Sequence, residues 1–173
     1  MYKRQGVVNI LCGEPSEVAT TLSKSTLPKL ITMIGSTETA KRVISDSSTS
    51  IKKYSMELGG NAPFIVFDDA DIELAPNIGA AIKFGNCGQI CVAANRFFVH
   101  EKVFDEFMDK MISKAKQLKI GFNKELDFEI GPMITNKSKE RVLGLIKKTI
   151  ENGGKLQYGG KSPEDLSLSL IHI

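Results

Sequence analysis

The chain has 173 residues, 42% of them hydrophobic and 25% charged, with a formal net charge of +3. This balance is globular and excludes a disordered tail. The lysines are scattered, as in KRVISDSSTSIKK and KERVLGLIKK, which fits solvated helix faces and excludes a basic nucleic-acid patch.

Strand-like and helix-like patterns alternate along the chain. GVVNILC is a short apolar run, and SEVATTLSKS after it has helical spacing. KLITMIG is the next apolar run, followed by STETAKRVISDSS with Ala40, Val43 and Ile44 at helical intervals. KKYSMEL and FIVF read as strands. DADIELAPNIGAAIKFGN is a helix weakened by Pro76 and Gly79. RFFVH reads as a strand. EKVFDEFMDKMISKAKQL is the clearest helix, with Val103, Phe104, Phe107, Met108, Met111 and Ala115 on one face. NKSKERVLGLIKKTIENGG is a second clear helix, ended by Gly153 and Gly154, and KLQYGG offers one more strand. Such alternation predicts α/β layers with a mostly parallel sheet. The main break falls at ELGGNAP, so a domain boundary is expected near Gly60.

Several further exclusions follow from the text of the chain. No apolar run is long enough to span a membrane, and MYKRQGVVNILCG carries no secretory pattern. Three cysteines do not make a disulfide framework. A reducing compartment is expected, cytoplasm or mitochondrial matrix. The chain opens inside a strand–helix pattern with no earlier element to pair with it. It closes on LSLIHI, which reads as one translation of a sequencing-adapter end, so residues 168–173 are expected to be a non-native tail.

Three places could carry chemistry. In IGSTETAKR a strand ends in Gly35-Ser36-Thr37 and opens a helix, whose free N–H groups and dipole can hold an anion. A Ser at that place is equally a helix cap, and the full dinucleotide glycine fingerprint is absent. In MELGG, Glu57 ends a strand beside two glycines that let another group approach the backbone closely. Glu57 is either a general base for water or an ordinary surface carboxylate. In NCGQICVAANR, Cys87 and Cys91 lie four positions apart. Zinc needs further Cys or His ligands, and the only histidines are His100 and His172, so no metal site is expected. A buried inert thiol and a nucleophile both remain open for these cysteines.

The order of these pieces resembles the aldehyde dehydrogenase superfamily, from about residue 5 to about residue 160. MELGGNAPFIVFDDADIELA, GQICVAANRFFVHEKVFDEF and IGPMITNKSKERV follow that family's text, and the wording is most similar to its succinate-semialdehyde branch. The resemblance implies the end of a Rossmann-like cofactor domain (1–59) followed by the start of an α/β catalytic domain (60–167). It implies NAD or NADP as cofactor, a small-molecule aldehyde as substrate, and a homo-oligomeric full-length parent. Cys91 matches the nucleophile and Glu57 the base that hydrolyses the thioester. Glu57 also favours release of a free acid over acyl transfer to coenzyme A. Gly35 and Ser36 match the pyrophosphate turn, and Leu58 and Gly59 match positions near the nicotinamide.

Departures from the family's pattern include Met33-Ile34 in place of Phe-Thr, Ala40 and Ala19 where Gly is common, and Ala93 where some relatives carry a second Cys. Cys87 lies on the other side of the nucleophile, as a redox partner or an inert residue. The oxyanion Asn and the ribose-binding groups are expected outside this stretch, which resembles the middle third of an enzyme. Taken alone, the 173 residues are expected to be poorly stable and inactive.

Overall fold

A computed structural model describes residues 4–121, 129–162 and 171–172. The chain divides into two compact units, Met1–Gly59 and Gly60–Ile173.

In the first unit, helix α1 spans Pro15–Lys24, with proline in the first turn, where a missing N–H costs nothing. Strand β1 spans Leu30–Gly35 and strand β2 Lys53–Leu58. They pair in parallel from Leu30↔Lys53 to Gly35↔Leu58. A parallel pair cannot be closed by a tight turn. The crossover is helix α2, Thr37–Asp46, which buries Ala40 and Val43 and leaves Ile44 43% exposed. A polar knot ties the end of α2 to β2. The buried Ser47 hydroxyl donates to the Val43 carbonyl at 2.6 Å and lies 2.8 Å from the Tyr54 hydroxyl. Lys52, also buried, donates from Nζ to the Ser47 carbonyl at 3.2 Å and to Ser50 Oγ at 2.7 Å.

The second unit repeats the logic. Strands β3 (Ala62–Val66) and β4 (Ala94–Val99) are parallel, joined by helix α3, Leu74–Phe84. Helix α4 spans Glu101–Gln117 and helix α5 Asn136–Glu151. The core joins Val66, Ala80, Phe84, Phe107, Met111, Ala115 and Ile130. The rings of Phe64, Phe97 and Phe107 meet with centroids 5.2 to 6.5 Å apart, in the tilted arrangement aromatic quadrupoles favour.

The two residues expected to weaken α3 have places of their own. Pro76 sits in the first turn and is fully buried, where its absent N–H had no intrahelical partner to lose. Gly79 is a close-approach point. A Cβ there would lie 3.1 Å from Phe97 Cε1 and 3.5 Å from Met111 Sδ.

Other readings need correction. GVVNILC forms no strand here: residues 6–12 carry no strand pairing among the described residues, and β1 finds its partner in β2. An apolar run becomes a strand only where a neighbour supplies the ladder. On α4, Phe107, Met111 and Ala115 are buried, but Phe104 is 46% exposed. In the first turn it is Val103, half-buried, that packs against the core, and Phe104 is left turned toward solvent. The strand read in KLQYGG contracts to β5, Gly159–Lys161, which pairs antiparallel with β6, Ile171–His172. The rest of the expected tail, Leu168–Leu170 and Ile173, lies outside the described residues.

Phe107→Ala is expected to cost about 3–5 kcal/mol by opening a cavity at the aromatic centre. Phe104→Ala, at an exposed position, is expected to cost less than about 1 kcal/mol. Urea unfolding followed by circular dichroism checks the pair; equal losses would refute the assigned core face.

Candidate active site

Parallel pairing decides where the candidate residues stand. In the first unit the register sets Gly35 beside Leu58 and Ile34 beside Glu57, at the carboxyl ends of β1 and β2. Crevices at strand carboxyl ends are the usual ligand positions of open α/β sheets. Ser36 follows directly as the N-cap of α2. Its hydroxyl accepts from the Thr39 N–H at 3.1 Å and lies 2.8 Å from Thr39 Oγ1. The cap and anion readings therefore separate by atom. The Ser36 oxygen is engaged in capping, whereas the first two amides of α2, on Thr37 and Glu38, have no intrahelical acceptor and point outward with the dipole. Glu38, exposed in that turn, is paired with Lys41 at 3.0 Å. This donor set fits a phosphate group approaching the end of the strand pair. Ala40 is a packed residue at 3% exposure.

Glu57 is exposed, between half-buried Met56 and Leu58, so it projects from the opposite face of β2. Its register neighbour Ile34 is 84% exposed on that same face. An apolar cavity of about 660 Å³ lies in this unit, lined by Val18, Ala19, Leu22, Leu30 and Met33 among others.

In the second unit the candidates lie at the amino ends of the strands. Gly60 and Asn61 lead into β3, Cys91 leads into β4, and the register Ala62↔Ala94 brings the two approaches side by side. The glycine pair acts here through Gly60. A Cβ on Gly60 would lie 2.8 Å from the Cys91 carbonyl oxygen, whereas one on Gly59 would meet nothing within 4 Å. The sequence expected a close backbone approach at this glycine pair; the structure assigns it to Gly60 and identifies the approaching group as the Cys91 carbonyl. Arg96 secures the same corner by donating from Nε to the Asn61 carbonyl at 3.0 Å.

Cys91 occupies a turn closed by the Ala93 N–H donating to the Ile90 carbonyl at 3.0 Å. Its thiol is exposed and has no hydrogen-bond partner among the described residues. Cys87 differs. It is half-buried, its thiol lies 2.7 Å from the Gly131 carbonyl it donates to, and burial pushes its pKa up. These are the marks of an inert thiol. Both cysteines are free. Asn86 and Cys87 have φ of 49° and 56°, and Gly88 has φ of 70°. A left-handed conformation costs roughly 1–2 kcal/mol at each non-glycine residue. Such strain persists where surrounding bonds hold it, often near a functional group. Beside this loop a cavity of about 600 Å³ is lined by Lys83, Arg141 and Lys155 among others. Burial lowers the Lys83 pKa, and its Nζ donates to Asn95 Oδ1 at 3.2 Å. Among the described residues no group of three or more His, Cys, Asp or Glu is placed to hold a metal.

Two measurements test this geometry. Iodoacetamide mapped by mass spectrometry at pH 7–8 is expected to modify Cys91 and Cys12 well before Cys87, with the difference vanishing in denaturant. Gly60→Val is expected to push the Cys91 backbone away and to change the iodoacetamide labelling rate of Cys91 about threefold or more while Cys12 is unaffected, since a Cβ at position 60 meets the Cys91 carbonyl. A variant at position 60 with an unchanged Cys91 rate would refute the contact.

The profile described as "Aldehyde dehydrogenase family" matches residues 4–169. Among curated proteins, succinate-semialdehyde dehydrogenase [NADP(+)] GabD of Escherichia coli (strain K12) is 40% identical over 159 residues, 92% of this chain and 33% of that protein. Glutarate-semialdehyde dehydrogenase of Pseudomonas putida is 39% identical over 156 residues, 90% of this chain and 32% of that protein. Among solved structures, succinate-semialdehyde dehydrogenase from Burkholderia pseudomallei superposes with a TM-score of 0.89 at 36% identity, over 92% of this chain and 33% of that one. The chain thus spans about a third of the length of the curated relatives it matches. By a profile match over nearly its whole length, this chain belongs to the aldehyde dehydrogenase family.

Proposed function

We propose that the protein containing this chain oxidises an aldehyde, succinate semialdehyde, to its carboxylic acid with NAD or NADP as hydride acceptor. The observation that carries the reading is the exposed Cys91 thiol, without a hydrogen-bond partner among the described residues, in a turn pressed against Gly60. The substrate rests on the names of relatives near 40% identity. Met1–Gly59 serves as part of the cofactor domain and Gly60 onward as part of the catalytic domain. Gly35, Ser36, Leu58 and Gly59 hold the cofactor, with the α2 amides meeting its pyrophosphate. Cytoplasm or mitochondrial matrix suits a free nucleophilic thiol. The working enzyme is a homo-oligomer, as the family resemblance implies.

Cys91 attacks the aldehyde carbonyl as thiolate; a carbon–sulfur bond forms and the carbonyl oxygen becomes an oxyanion. The Cys91 backbone N–H donates to that oxygen. NAD or NADP, held by Gly35, Ser36, Leu58 and Gly59, would supply the acceptor for the hydride that must leave the carbon bonded to Cys91. Cys91 then holds the acyl group as a thioester. Glu57 takes a proton from water as the water oxygen attacks, and the carbon–sulfur bond breaks to release the acid and the thiolate. Glutarate semialdehyde is a second substrate reading, favoured by the Pseudomonas putida relative at nearly equal identity.

In the complete enzyme, Cys91→Ala is expected to abolish NAD(P)H production. Glu57→Gln is expected to retain a single-turnover burst while steady turnover falls about 100-fold or more. Stopped-flow absorbance of the reduced cofactor checks both. Persisting turnover in the Cys91 variant would refute the nucleophile, and loss of the Glu57 burst would refute its role in hydrolysis alone.

A further inference from the structure

The nucleophile turn follows an unusual piece of backbone. Asn86, Cys87 and Gly88 are consecutive residues with positive φ. Only one of them is glycine, so bonds from outside must hold the segment in place. Those bonds converge on Gln89. The Gln89 N–H and its side-chain Nε2 both donate to the Asn86 carbonyl, at 3.0 and 3.1 Å. The Asn86 Nδ2 returns a bond to the Gln89 carbonyl at 3.3 Å. The other end of the Gln89 carboxamide, Oε1, accepts from the Ile134 N–H at 3.4 Å. One side chain thus ties the left-handed segment both to itself and to the stretch before α5. The Ile90–Ala93 turn that presents Cys91 starts at the next residue.

We infer that Gln89 is a positioning residue for the nucleophile: its carboxamide clasps the left-handed segment to Ile134 and so fixes the turn that carries Cys91. The Cys87 thiol on the Gly131 carbonyl is a weaker second tie to the same stretch. Gly60 bounds the turn from the other side, where its missing Cβ admits the Cys91 carbonyl. With both ends set, thiol and backbone N–H of Cys91 keep one relative placement, and Gln89 acts through the turn that carries them. The inference rests on the reading of Cys91 as nucleophile.

Residue-resolved amide hydrogen exchange on the complete enzyme tests it. The reporter is the Ala93 N–H, whose bond to Ile90 spans Cys91 and involves no Gln89 atom. In Gln89→Ala its exchange is expected to quicken about tenfold, the loss of one to two net hydrogen bonds. Gln89→Glu keeps the acceptor for Ile134 and loses the donor to Asn86, so it is expected to fall between. Amides in the middle of α4 should not change. In the complete enzyme Gln89→Ala is expected to lower kcat with KM within about twofold, the pattern of a lost transition-state arrangement. Unchanged exchange at Ala93, equal quickening in α4, or an unchanged kcat each overturns the inference. Should Cys91→Ser turn over aldehyde at the unaltered rate, the nucleophile reading falls instead, and the exchange result on the clasp stands apart from it.

Discussion

Parallel pairing of neighbouring strands is the constraint from which the rest of this molecule follows. Strands that run the same way cannot be joined by a hairpin, so each pair needs a helix to carry the chain back. That requirement produces β1–α2–β2 and β3–α3–β4. It also collects like ends together. Both strand ends of the first unit open into Gly35-Ser36 and Leu58-Gly59, and both strand starts of the second are approached through Gly60 and Cys91. No side chain needs to reach far for these groups to become neighbours within their own unit; backbone direction brings them there.

Packing then sharpens what topology allows. The second unit is organised around an aromatic cluster of Phe64, Phe97 and Phe107, with Gly79 giving the room for α3 to approach it. A helix held that closely delivers its last residue, Phe84, into the core and sends the chain out into the left-handed segment. Local strain in that segment and tight packing before it are two sides of one arrangement. A rigid helix fixes where the segment begins, and side-chain bonds to the Gly131–Ile134 stretch fix where it goes.

Electrostatics separates the two thiols that the sequence sets four positions apart. Cys87 is turned inward, bonded to a carbonyl, and penalised by burial for ionising. Cys91 is outward, with no competing partner among the described residues. A thiol facing a backbone carbonyl is held in its protonated form, since the carbonyl offers a lone pair and no positive charge. The same residue type in the same short stretch thus serves packing at one position and is free for chemistry at the other.

Much of this was legible in the residues. Apolar periodicity located the helices and the paired strands, because burial of one face is a local pattern of period 3.6 or 2. The order of MELGG and GQIC pointed to the family and to Glu57 and Cys91 as candidates. Tertiary structure alone decided the rest. It decided that GVVNILC has no strand neighbour among the described residues, that Val103 and not Phe104 packs in the first turn of α4, and that Gly60 and not Gly59 receives the Cys91 carbonyl. It also decided that Cys87 faces Gly131 and that Gln89 reaches Ile134. The physical reason is common to all five. Periodicity and turn chemistry are properties of neighbours along the chain, whereas pairing, coverage and close approach join residues that the sequence holds far apart.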